Sequence, residues 1–218
     1  MTFIVLQTAG VPVSRIPRAA GIAILHELPK AGKMNRQADG SGGVIHILRE
    51  ARRQIAVSLV LFILAGIGGA LYPHIGDAAL ANFAEYVREF LEKNTPDLIL
   101  AIFLRNAAAA GTAIVLGIFF GIVPVAAISV NGILFGAVLR LMPAESWRLL
   151  PHGVFELPAM FIAWGLGLWV GLWIMEAPRW QHLKERLTAS LRVYLMLILP
   201  LLVVAAVIEG IAAHIYRG

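Results

Sequence analysis

The chain has 218 residues, 59% of them hydrophobic and 14% charged, against about 45–50% and roughly 25% in soluble domains. This excludes an ordinary water-soluble domain and a disordered chain, and it argues against a nucleic-acid-binding module despite the net charge of +5. The lack of cysteine excludes disulfides, thiolate metal sites and a cysteine nucleophile, so any chemistry must come from a few ionisable groups among apolar helices.

Residues 1–47 form a basic tail with scattered glycines and prolines and a polar stretch, NRQADGSGG, from Asn35 to Gly43. The start, MTFIVLQTAG, is apolar but lacks the basic leader and longer apolar run of a signal peptide. Two readings stay open: a partly disordered cytoplasmic tail, or an extension preceding a true start at Met34.

The membrane domain, residues 48–218, follows. A bilayer core of about 30 Å needs about 20 apolar residues of helix. The first such run is 55–72, closed by Pro73. The loop beyond it contains an amphipathic segment at 82–93, with Phe83, Tyr86, Val87, Phe90 and Leu91 at helical spacing. That pattern predicts a short helix, either lying in the interface or simply solvated. The next apolar block, from Leu98 to Met142, would be about 68 Å long as one helix at ~1.5 Å per residue. It must therefore fold back. Gly121-Ile-Val-Pro124 is the place, because proline removes a backbone donor and disfavours helix in the residue before it. Two spans result, 98–121 and 124–141, with a fourth at 151–175 and a fifth at 191–214. The predicted fold is all-α: a polytopic bundle of five transmembrane helices, the fourth kinked or broken at Pro158.

Arginine and lysine set the expected orientation. They concentrate before the first span (Arg49, Arg52 and Arg53 among others) and between the fourth and fifth (Arg179, Lys184, Arg186, Arg192). Cytoplasmic segments carry that excess. The expectation is a multi-pass cell-membrane protein with its N-terminus cytoplasmic and its C-terminus outside. Arg49, Arg52 and Arg53 suit a membrane-proximal anchor to anionic lipid.

A charge at membrane depth costs at least ~2.5–3.5 kcal/mol and usually faces the bundle interior. The candidates are Arg105 and Asn106 in the second span, Asn131 in the third, His152 and Glu156 opening the fourth, and Glu209 near the outer end of the fifth. All fall at mid-depth or in the outer half. His152 and Glu156, four apart, share a helix face. Glycine pairs four apart (Gly117/Gly121, Gly132/Gly136 and Gly167/Gly171) have the spacing of close helix packing. Trp147, Trp173 and Trp180 suit interfacial anchors.

These residues carry a resemblance. Arg105-Asn106, Asn131-Gly132, the block Pro151-His152-Gly153-Val-Phe-Glu156-Leu-Pro158-Ala159 and Ile208-Glu209-Gly210 resemble the stage II sporulation protein M family of integral membrane proteins, from about Leu48 to the C-terminus. The resemblance implies five helical spans. It also implies a scaffold role, since the namesake works with peptidoglycan-degrading partners during engulfment. It brings no enzymatic activity and no cofactor.

Three functions remain open on the polar groups. In the first, Arg105, Glu156 and Glu209 form an ion-pair network, with Asn106, Asn131 and His152 satisfying the remaining donors and acceptors. The protein is then a scaffold whose partners are the bilayer and other membrane or envelope proteins. In the second, the cluster is a transport or channel site, to which a homodimer would restore the missing symmetry. In the third, it is an acid/base or metal-dependent intramembrane enzyme. Arg105 opposes a metal there, and the second histidine of a His-Glu-x-x-His pattern is missing. The expectation is therefore no metal, no cofactor and no nucleic-acid partner.

Overall fold

A chain crossing hydrocarbon must satisfy its backbone internally, and a helix does so within each segment. The computed structural model describes residues 40–78, 80–81, 94–141, 143, 150–175 and 177–217. The amphipathic segment at 82–93 and residues 1–39 of the expected tail lie outside the described residues. Among the described residues the main helices follow in order: α1 Gly40–Glu50, α2 Arg52–Leu71, α3 Thr95–Val115, α4 Ile122–Leu141, α5 Leu150–Gly171, α6 Arg179–Val193 and α7 Leu199–Arg217. Five stretches are long and apolar enough to cross a membrane: Arg52–Leu71, Thr95–Ile118, Ile122–Leu141, Gly153–Met175 and Arg179–Ala212. No strand occurs among the described residues.

The boundaries have local causes. α3 starts where Asn94 accepts the Asp97 backbone N–H through Oδ1 at 3.0 Å, with Pro96 in the first turn. That is the position where a missing proline N–H does no harm. α3 tightens into a 3-10 turn at Leu116–Ile118, and the chain reverses through Phe120 (φ 56) and Gly121 (φ 73). Gly121 takes the left-handed conformation without a Cβ clash, whereas Phe120 carries about 1–2 kcal/mol of steric cost. Pro124 then sits in the first turn of α4, so the expected hairpin forms at the expected place. Pro158 lies inside α5, which stays α-helical around it. Its ring leaves the Val154 carbonyl without the usual intrahelical donor. A 3-10 turn at Leu172–Met175 ends the span.

Two segments are more helical than their composition suggests. α1 reaches back to Gly40, into the end of the expected tail. The connection before the fifth span is α6, which continues through a π-turn at Tyr194–Ile198 into α7. α6 buries Leu183, Arg186, Ser190 and Val193 on one face, a spacing of three or four that defines a helix stripe.

α5 is the central helix, touching α2, α3, α4 and α7. Trp164, Leu166, Ala163 and Val170 are buried along it. On one side α2 and α4 form the most extensive pair in the fold. A Cβ at Gly136 would fall on the Gly66 carbonyl oxygen, and one at Gly69 on the Ile133 carbonyl oxygen. Only glycine permits backbones this close. The other glycine pairs serve the same purpose: Gly117 faces the Gly167 carbonyl, and Gly171 faces the hairpin at Gly121. Ser58, fully buried, donates to the Ile55 carbonyl at 2.8 Å and the Phe161 carbonyl at 3.0 Å, linking α2 to α5. On the other side of α5, α3 packs on α7.

The outward faces are apolar. Val57, Val60, Leu64, Leu100, Leu104, Val203, Val207 and Ile211 are all exposed. Such faces would be a liability in water and are the natural contact of acyl chains. Arg49, Arg52, Arg53 and Arg186 gather where α2 begins and α5 ends, hereafter the arginine-rich end. Trp173 lies beyond that end of α5. It donates to the Ile118 carbonyl at 3.0 Å and neighbours the Phe120 and Trp180 rings. At the opposite end Arg140 of α4 pairs with Asp77 beyond α2.

Candidate functional site

Of the polar residues of the spans, Arg105 and Asn106 of α3 and Glu209 of α7 lie on the two helices that pack together in the half away from the arginine-rich end. Leu98, Ile102 and Ala206 are buried together there, with Ile99 and Phe103 against them. Gly210 makes this contact possible, since a Cβ on it would collide with the Ile99 side chain. This antiparallel register sets Arg105 deeper in α3 than Glu209 stands in α7. Helical side chains lean towards their own N-terminus, and in α3 that direction leads to Glu209. This places the Arg105 guanidinium within electrostatic reach of the Glu209 side chain. Both residues are partly buried, and Asn106 beside Arg105 is buried.

A second link joins the same helices nearer the arginine-rich end. The Tyr194 hydroxyl, on the π-turn, donates to the Ala107 carbonyl at 2.9 Å. Gly111 leaves room for it, since a Cβ there would lie 3.3 Å from that hydroxyl. Tyr194 does not figure in the sequence reading. Its signal was available: a tyrosine in an apolar span needs a hydrogen-bond partner.

Glu156, in the second turn of α5, is partly buried and engaged in an interaction within the protein. Arg105 is likewise engaged. His152 sits in the first turn of α5, and its side chain lies outside the described residues. Asn131 stands apart. Gly132 and Gly136 turn their side of α4 towards α2, leaving Asn131 exposed with its amide donating to the Ala127 carbonyl of its own helix at 2.8 Å. Ser129 similarly donates to the Val125 carbonyl at 2.9 Å. Among the described residues, no three histidine, aspartate or glutamate side chains gather as metal ligands would.

The five apolar helices and the polar groups between them define an α-helical, multi-pass membrane protein. A family profile described as "Stage II sporulation protein M" matches residues 56–214. The chain belongs to that family. It is also 27% identical over 165 residues to an uncharacterized protein of Methanocaldococcus jannaschii, an alignment covering 71% of this chain and 75% of the relative. No solved structure matches the chain.

Proposed function

We propose that the protein is a membrane scaffold or assembly factor, in which Arg105, Glu156 and Glu209 form an internal network that fixes how the spans pack. The observation carrying this reading is the packing of α3 on α7, which sets Arg105 within electrostatic reach of Glu209. It bridges the second and fifth spans, which are far apart in sequence but pack together in the fold. A cation in hydrocarbon is expensive alone and tolerable when neutralised. Acids on two other spans therefore tell α3 which neighbours to choose. Such a network specifies an arrangement more than it stabilises one. The outward faces then remain apolar and free to meet lipid and other membrane or envelope proteins.

We further propose the orientation given by the positive-inside rule, with the arginine-rich end cytoplasmic and the C-terminus outside a cell membrane. The chain has no cysteine, so single cysteines can be introduced into an unreactive background. Thr188→Cys is expected to be shielded from a membrane-impermeant maleimide in intact cells, and Asp97→Cys to react; the reverse pattern sinks the orientation. The scaffold reading is tested by crosslinking in native membranes followed by purification. Recovery of a defined envelope-protein partner supports it. Recovery of the protein alone, together with ion or solute flux in liposomes that Glu209→Gln abolishes, replaces it with transport.

A further inference from the structure

The arginine-rich end holds a feature that the network does not use. Four arginines, Arg49, Arg52, Arg53 and Arg186, converge on a pocket of about 290 Å³ against one acid, Glu50. They come from three separate segments: the end of α1, the start of α2, and α6. Glu50 stands near His46, with Nδ1 and Oε1 3.6 Å apart, and both are exposed.

Arg186 distinguishes the pocket from a patch of solvated charge. It is only 8% exposed. Its guanidinium lies over the Trp169 ring, 5.2 Å from the centroid, and donates through Nη1 to the Trp169 carbonyl at 3.2 Å. The ring and the carbonyl fix the plane of the cation, and a pre-set guanidinium loses little entropy when it takes up an anion. Gln54 also lines the pocket, and its Oε1 is buried with no hydrogen-bond partner. Such an atom calls for a partner, and an alcohol hydroxyl can supply one. The remaining wall is Trp169 and Leu172, where α5 ends its span.

Charge, depth and wall chemistry agree. We propose that this pocket binds a phosphate-bearing anion, with the headgroup of an anionic phospholipid such as phosphatidylglycerol as its occupant. The arginines take the phosphate oxygens in fork geometry, Gln54 accepts from a headgroup hydroxyl, and Trp169 and Leu172 meet the first methylenes. Basic pockets between spans on the cytoplasmic side suit this ligand class. The same oxygens are offered by free phosphate, so the test separates the two sources.

The full chain is purified in detergent, and native mass spectrometry measures retention of phosphatidylglycerol against phosphatidylcholine. The same titration is repeated with excess inorganic phosphate. The double variant Arg52→Gln/Arg53→Gln changes two exposed pocket arginines and leaves the buried Arg186 and the core in place. It is expected to bind phosphatidylglycerol roughly thirty-fold more weakly. Arg179→Gln, outside the pocket on the same end, is expected to bind as the parent does. Preference for phosphatidylglycerol that survives excess phosphate supports the lipid headgroup. Displacement by phosphate, with the same loss in the double variant, supports the phosphate site but moves it to a soluble ligand. Equal retention of the two lipids without any effect of phosphate, or retention unchanged in the double variant, overturns the proposal.

Discussion

The two helix pairs flanking α5 are held together by different means. α2 and α4 meet through glycines, with Gly136 on the Gly66 carbonyl and Gly69 on that of Ile133, and the Arg140–Asp77 pair lies past the end of α2. α3 and α7 meet through Ile99, Ile102, Ala206 and Gly210 at one level, and through Arg105, Glu209 and Tyr194 beside it. In lipid the hydrophobic effect cannot drive helices together. What remains is close packing of small residues and polar contact between helices. This fold uses one mechanism on each side of its central helix. The glycine pair is selective in shape only, whereas the polar pair is selective in charge. That difference makes the α3–α7 side the one whose failure should be electrostatic.

Substitutions on both sides of α5 sharpen or break this contrast. The largest effect is expected from Glu156→Gln/Glu209→Gln, which in the proposed network strips Arg105 of its acids. The loss should approach the ~2.5–3.5 kcal/mol of an uncompensated cation, read as a fall in thermal stability in detergent. Adding Arg105→Leu to that double variant should recover most of it. Next comes Gly136→Leu, which drives a side chain into backbone. A cost of about 1–3 kcal/mol or more is expected, and Gly68→Leu, where nothing lies within 4 Å, should be neutral in the same melt. If Gly136→Leu were as mild as Gly68→Leu, the glycine packing of α2 on α4 would be wrong.

A smaller effect is expected from Tyr194→Phe. It removes the hydroxyl from Ala107 and should cost about 0.6 kcal/mol, the usual worth of a hydrogen bond between membrane helices. Hydrogen exchange near the π-turn would register it. Asn131→Leu should be smallest, within about 0.5 kcal/mol, since the amide serves only its own helix. A large loss would mean that Asn131 belongs to the polar network after all.

Much of this arrangement was legible in the sequence. Hydropathy located the spans because a bilayer demands unbroken apolar length, and Pro124 located the hairpin because no helix could hold the whole block. Pairing was less legible. Gly132 and Gly136 announced a contact, yet nothing in their spacing named Gly66 and Gly69 as the other side. That choice also decided the fate of Asn131: once the glycine face of α4 turned to α2, the asparagine was carried outward. Arg105 and Glu209 were easier to nominate as a pair, since charge in hydrocarbon limits the options. In the connection before the fifth span the charges hide the stripe of Leu183, Leu187, Ser190 and Val193. Arg186 falls on that stripe, and an arginine at a helical core position was the available sign of the pocket.

The most direct test of the central claim is a double-mutant cycle on Arg105→Leu and Glu209→Leu in lipid-containing micelles. Each single variant should be destabilised and the double variant substantially recovered, with a coupling energy of about 0.5–3 kcal/mol. Strictly additive losses would mean that the two side chains ignore each other, and the internal network would be refuted.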